Sequence, residues 1–182
     1  MTKPMTAYTI REAQPEDAAA LVAYLRLLFD EPNNGTSYTR AEDYAMTQID
    51  MRQQIDVYAA DPNGIMLVAV NADGIIVGQA DANPGPRVFA QTASLGLSVH
   101  RDWRRQGVGR ALTEAIIAWA RDESGLCRLE LEVFGNNRKA VALYESLGFE
   151  HEGSRRRAAI KHGEALDSLI MAMLFNRPEC GD

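Results

Sequence analysis

Leu95-Gly96-Leu97-Ser98-Val99-His100-Arg101-Asp102-Trp103-Arg104-Arg105-Gln106-Gly107-Val108-Gly109-Arg110-Ala111-Leu112 decides how the rest of the chain is read. Its first residues continue a β-like run from Gln91 that ends near Val99, and its last residues open a helical pattern running to about Glu123. Between them a loop carrying two glycines leads straight into the helix. The first amides of a helix have no intrahelical acceptor, so they point outward with the positive end of the helix dipole. Glycines let a ligand approach that backbone closely, and Arg104, Arg105 and Arg110 add charge. The junction therefore suits an anion, and a phosphorylated ligand above all. A Walker-type loop would end in Gly-Lys-Ser/Thr, and Gly109-Arg110-Ala111 does not. A dinucleotide fingerprint wants a small residue where Leu112 stands, so neither nucleotide motif fits.

Outward from this stretch, the chain alternates between the two periodicities. Tyr8–Arg11 reads as a first strand, and Pro15-Glu16-Asp17 opens a helix whose apolar residues are Leu21, Val22, Leu25, Leu28 and Phe29. The segment 30–39 reads as a loop because Pro32, Asn33, Asn34 and Gly35 punctuate it. A second helix is expected over 40–58. Strands at 65–71 and 75–82 flank Asn71-Ala72-Asp73-Gly74, which is hairpin chemistry. Asn83-Pro84-Gly85-Pro86 breaks the pattern. Beyond the glycine-bearing loop come a strand at 126–133, a helix at 137–147, and strands at 149–160 and 164–174 joined through His162-Gly163. This order implies one mixed α/β domain over residues 7–176, with short tails at 1–6 and 177–182.

Composition narrows the classes. The chain has 182 residues, 46% hydrophobic and 24% charged, with a formal net charge of −6. That balance argues against nucleic acid as a partner and favours a neutral or cationic small substrate. No apolar run reaches the roughly 18 residues needed to span a bilayer, and 1–8 lacks a signal-peptide core. We therefore expect no membrane partner and a cytoplasmic location. Cys127 and Cys180 are then expected to be incidental rather than a disulfide. The three histidines have no metal-ligand spacing, so no metal is expected. Arg155-Arg156-Arg157 reads as a solvated strand or turn edge.

Arg104-x-x-Gly107-x-Gly109 resembles the signature of the GNAT superfamily of N-acetyltransferases. Asn137-x-x-Ala140-x-x-Leu143-Tyr144-x-x-x-Gly148-Phe149 resembles the superfamily's second region, in the right order and spacing. The resemblance covers about residues 7–176. It implies a GNAT fold: a mixed, mostly antiparallel sheet of about seven strands flanked by about four helices. It implies acetyl-CoA as acyl donor and transfer of the acetyl group to an amine by direct attack on the thioester. Backbone amides of Arg105, Gln106, Gly107, Val108, Gly109 and Arg110 would hold the pyrophosphate, with Arg104 at the first motif position. Backbone groups of Leu97, Ser98 and Val99 would align the pantetheine arm in a gap between splayed strands, and Asn137 would contact that arm. Tyr144 takes the general-acid position. A tyrosine can lend sulfur its proton and recover it afterwards.

The superfamily often supplies a base from the strand before the loop, but Thr92–Ser98 contains no acid. Glu130 and Glu132 share one face of the next strand and either could act through a water; Glu130 is our candidate base. Glu31, or Asp30 beside it, could recognise a cationic acceptor. Gly153-Ser154-Arg155-Arg156-Arg157 with Gly163-Glu164-x-x-Asp167-x-x-x-Met171 resembles a bacterial branch. That branch includes amino-acid and antibiotic N-acetyltransferases and ribosomal-protein N-terminal acetyltransferases. A small-molecule amine is the acceptor this reading favours, with a protein N-terminus as alternative. A non-catalytic acyl-CoA-binding module is a further alternative, against which Tyr144 speaks. Members of the superfamily often pair as homodimers, a role open to Leu169–Leu174.

Overall fold

The computed structural model describes residues 7–31, 42, 44–89 and 91–180, the side chains of Arg87 and Glu179 excepted. Seven strands form the sheet: β1 (Tyr8–Glu12), β2 (Ile65–Asn71), β3 (Ile76–Pro84), β4 (Thr92–Val99), β5 (Arg128–Phe134), β6 (Glu150–Lys161) and β7 (Glu164–Leu174). They lie in the order β1-β2-β3-β4-β5-β7-β6. Every neighbouring pair is antiparallel except β4 and β5, which are parallel. The helices are α1 (Ala18–Phe29), α2 (Gln48–Ala60), α3 (Val108–Asp122) and α4 (Arg138–Ser146).

β2 shows why the sheet sits between two layers. Its residues Ile65–Val70 are all buried, a continuous apolar run of the kind that strands covered on both faces require. Met66, Val68 and Val70 face a cluster with Leu21 of α1 and Met51 and Ile55 of α2. Ile65, Leu67 and Ala69 face the other way, into a larger cluster with Leu112, Ile116 and Ala120 of α3. Full burial of each large aliphatic side chain stabilises by about 1.5–3 kcal/mol. α3 seats close to the sheet because residue 78 of β3 is glycine. A Cβ there would come within 3.0 Å of both Leu112 Cδ1 and Val108 Cγ1.

The second helix begins later than its sequence suggests, at Gln48. Thr47 and Asp50 form a capping box: the Thr47 hydroxyl accepts from the Asp50 amide, and the Asp50 carboxylate accepts from the Thr47 amide at 2.9 Å. Residues 40, 41 and 43 and most of the expected loop at 30–39 lie outside the described residues. β3 runs through Pro84, two residues past its expected end at 82 and into the expected break, because Pro84 still pairs with Ala93. Leu169–Leu174 lies inside the sheet, in β7 between β5 and β6, so the exposed edge belongs to β6. His162 and Gly163 make the tight turn between them, both at positive φ.

The expectation for the cysteines is overturned. Cys127 and Cys180 are joined by a disulfide, with Cα atoms 5.6 Å apart. The chain doubles back after β7: the Phe175 amide donates to the Cys127 carbonyl at 2.8 Å, and a 3₁₀ turn at Pro178–Cys180 brings the second sulfur home. Residues 177–180 are therefore tied to the start of β5 rather than trailing as a tail. Among the described residues no helix is long and apolar enough to cross a membrane.

One irregularity in the sheet matters most. β4 and β5 pair only at Thr92–Arg128, Ala93–Leu129 and Ser94–Glu130. Beyond Ser94, β4 stays with β3 as far as Gly78–Val99, while β5 stays with β7 as far as Phe134–Ser168. The two strands diverge and leave a gap. At its near edge Gly96 makes room for Asp81 of β3, since a Cβ on residue 96 would stand 2.5 Å from Asp81 Oδ1. The Asp81 carboxylate cannot easily yield. It accepts from the Tyr58 hydroxyl at 2.9 Å and from Gln79 Nε2 at 2.6 Å. Loss of water raises the Asp81 pKa, against the pull of these two donors.

Gly96→Ala should therefore destabilise the protein by about 1–3 kcal/mol in urea unfolding. In an Asp81→Ala background the same substitution should cost much less. Equal costs in the two backgrounds would disprove the clash.

Candidate active site

The gap opens into a cavity of about 1360 Å³. Its walls include Leu95–Val99 of β4, Glu132–Phe134 of β5, the loop and first turn of α3, the start of α4 with Leu143 and Tyr144, and Lys161–Ser168 of the β6–β7 hairpin. Strand alternation decides which backbone groups of β4 are free. The His100 amide donates to the Val77 carbonyl at 2.9 Å, so Ser98 and Gly96, in step with it, also turn toward β3. Leu97 and Val99 turn the other way, into the gap. The Val99 carbonyl accepts from Arg104 Nε at 3.0 Å. The amides of Leu97 and Val99 remain available to an extended ligand lying where the β4–β5 ladder fails.

The anion end is built by the loop. Arg105 and Gly107 both take positive φ, 59° and 86°, and Gly107 is the N-cap of α3. The first helical bond runs from the Ala111 amide to the Gly107 carbonyl at 2.9 Å. The amides of Val108, Gly109 and Arg110 thus precede any intrahelical partner. Around them, the cavity is lined by Arg105, Arg110, Arg138 and Lys139. Leu97, Val99 and Leu143 form an apolar slot beside Gly109, all within 3.8 Å of where a Cβ on residue 109 would lie.

Tyr144 is positioned by the end of its own helix. Asn137 caps the start of α4, its side-chain oxygen accepting from the Ala140 amide at 3.3 Å. At the other end the Phe149 amide donates to the Tyr144 carbonyl and the Gly148 amide to the Glu145 carbonyl, each at 3.1 Å, a Schellman motif. Gly148 supplies the left-handed residue, at φ 95°. The motif's hydrophobic contact is the edge-on packing of Phe149 on the Tyr144 ring, centroids 5.7 Å apart. The spacing Asn137…Tyr144…Gly148-Phe149 is thereby one short helix with both caps. Burial pushes the Tyr144 pKa up to about 12. On the facing wall, Glu132 accepts a hydrogen bond from the Ser168 hydroxyl at 3.0 Å and pairs with Arg155 at 2.7 Å.

Residues 19–149 match the model of the Acetyltransferase (GNAT) family. The chain is 34% identical over 115 residues to the L-amino acid N-acetyltransferase AaaT of Escherichia coli K12, covering 62% of this chain and 70% of that protein. It is 38% identical over 86 residues to the ribosomal protein bS18-alanine N-acetyltransferase of the same organism, covering 47% of this chain and 57% of that protein. A GNAT-family acetyltransferase structure from Streptococcus pneumoniae superposes with a TM-score of 0.85 at 32% identity, over 93% of this chain and 100% of that one.

The chain belongs to the GNAT acetyltransferase family.

This GNAT protein is an acetyl-CoA-dependent N-acyltransferase. Its residues fit the donor: free amides at the α3 start and cations for the pyrophosphate, and unpaired β4 amides beside an apolar slot for the arm. The residues singled out from sequence fall into two groups. Leu97, Ser98, Val99, Arg104, Arg105, Gly107, Gly109, Arg110, Asn137 and Tyr144 line the cavity. The Val108 side chain, at the start of α3, is buried in the core, and Gln106 donates to the Asp102 carbonyl, so these two offer their backbone alone. Ser98 turns its backbone to β3, and its hydroxyl accepts from Tyr24 at 3.0 Å.

Glu130, Glu31 and Arg104 stand differently from expectation. Glu130 sits opposite Ser94, the last residue of the intact β4–β5 ladder, and its carboxylate is held by Arg128 Nε at 2.8 Å. It does not line the cavity; Glu132, one step further along, does. Glu31 is not free to greet an acceptor, because Arg104 Nη2 donates to it at 2.5 Å. Arg104 in turn clasps the end of β4 and the end of α1 rather than reaching toward the α3 amides. Sequence reading missed Ser168, Arg155, Asp81 and Tyr58. Ser168 and Arg155 meet Glu132 across strands, and Tyr58 and Asp81 support Gly96 of β4 from another layer and the next strand, relations that one-dimensional spacing does not record.

Gly148→Ala should strain the Schellman turn, costing about 1 kcal/mol in stability. It should also lower kcat more than KM by shifting Tyr144. A stability loss with unchanged kcat would show that the turn does not position the ring.

Proposed function

We propose that this acetyltransferase acetylates the primary amine of a small molecule, with Tyr144 as general acid and Glu132 as the proton acceptor. What supports the reading is that these two groups lie on walls of one cavity, on either side of the β4–β5 gap. The chemistry asks little more. The Val99 amide polarises the carbonyl presented in the gap, as a preorganised backbone donor can. Glu132, held by Ser168 and Arg155, takes a proton from the attacking amine, directly or through one water. Tyr144 delivers its proton to the departing sulfur. Nitrogen gains the acetyl carbon and the carbon–sulfur bond breaks, leaving a proton on Glu132 and Tyr144 as a phenolate; loss of the first proton to solvent and uptake of one by the second restore both groups. Bound in the gap, acetyl-CoA supplies an already activated acyl group.

The likeness to a ribosomal-protein-alanine acetyltransferase keeps a protein N-terminus as the second reading. A cytoplasmic location, where acetyl-CoA is at hand, goes with this function. The Cys127–Cys180 bond would there stand against a reducing pool.

The test is thiol release from acetyl-CoA against a panel of amines and short peptides. Turnover with a small amine is expected, and turnover with peptides alone would favour the second reading. Tight acetyl-CoA binding with no acceptor used would favour a binding module. Tyr144→Phe and Glu132→Gln should each lower kcat by about 10²–10⁴-fold while acetyl-CoA affinity holds. The neutral phenol is the donor, and it stays neutral below its pKa of about 12. The kcat profile of the wild type should therefore show no Tyr144-dependent fall up to about pH 11; an alkaline limb near pH 9 that vanishes in Tyr144→Phe would contradict it.

A further inference from the structure

Of the Arg155-Arg156-Arg157 run, which neither motif accounts for, Arg155 is the residue that reaches the site. It lies on β6 opposite Ser168 of β7, and Ser168 lies opposite Phe134 of β5. This places its guanidinium on the sheet face that carries Glu132, with Nη1 2.7 Å from Glu132 Oε1. Beyond it β6 leaves register as far as Ala159, and Arg157 takes a positive φ with its amide donating to Asp167 Oδ1 at 2.7 Å. The bulge absorbs the other two arginines. The Arg155 side chain is 63% exposed. Glu132, which lines the cavity, is its one charged partner among the described residues, and the exposed guanidinium has N–H groups left over beside it.

An α-amino acid carries an ammonium and a carboxylate on a single carbon. A cavity-lining carboxylate in contact with an exposed guanidinium presents the complementary pair. We propose that Arg155 determines acceptor specificity by binding the α-carboxylate of a free amino acid, while Glu132 faces its ammonium. This rests on Glu132 being the group that receives the amine. The planar guanidinium can take a carboxylate in two parallel hydrogen bonds, which a lysine cannot. A polyamine would bring a second cation against Arg155, and a peptide N-terminus offers no carboxylate at that carbon. The acceptor class is therefore the free α-amino acid.

The experiment compares amino acids with their primary amides, which keep the amine and lose the charge. Wild type should favour the acid over the amide by roughly 10- to 100-fold in kcat/KM. Arg155→Ala should bring that ratio near one, Arg155→Lys should restore it in part, and Arg156→Ala should keep it. A ratio within one variant is insensitive to how much of that variant folds. Calorimetric binding of the same acid–amide pairs in the presence of CoA reads the preference without turnover. An acid–amide ratio unchanged in Arg155→Ala, or lost instead in Lys161→Met on the neighbouring wall, would overturn the inference. So would a wild type that binds no free amino acid. Acid-selective binding without acetyl transfer would uphold Arg155 and sink the catalytic assignment of Glu132 and Tyr144 instead.

Discussion

The arrangement depends on a failure of hydrogen bonding. Parallel strands that begin in register normally continue so, because every unpaired strand amide shielded from water is costly. Here β4 and β5 keep three residue pairs and then part. The separation is held from both sides. β3 retains β4 to its last residue, with Asp81 filling the space that Gly96 vacates, and β7 retains β5 along its whole length. Neither strand can move to close the gap without giving up a longer ladder on its other side. The amides of Leu97 and Val99 are thus left as donors by competition between ladders.

From that constraint the chemical division of the site follows. On the face covered by α3 and α4 the gap meets unpartnered helix amides, cations and an apolar slot, a setting for a phosphorylated ligand with an extended arm. On the opposite face it meets a small polar cluster, Glu132 and Arg155 open to solvent with Ser168 buried beside them. Tyr144 stands within the cavity on the α4 side, its proton retained by burial. Arg104 and Glu31 then couple the ends of α1 and β4, so the arginine that opens the family signature serves as a brace between layers.

Much of this was legible in the sequence. The glycine-bearing junction, the two-cap helix around Tyr144 and the bounds of β2 and β7 are local patterns, written in adjacent residues. The late start of α2 was legible too, in Thr47 and Asp50, but a long weakly amphipathic stretch obscured it. What sequence did not yield is what strand pairing creates. Glu130 and Glu132 are equivalent by alternation, and only the place where the β4–β5 ladder stops separates them. That Asp81 of β3 fills the space over Gly96 is likewise a product of the β3–β4 register. The two cysteines, far apart in sequence, meet because the chain turns back after β7.

The strand order carries a consequence for how the molecule is made. β7 is the last strand in the chain, yet it lies inside the sheet, between β5 and β6. During synthesis β5 and β6 share no ladder until the segment that forms β7 has been made and enters between them. The ladder that holds β5 apart from β4 is thus available only once β7 is in place, and the cavity between them depends on a strand made after both of its walls.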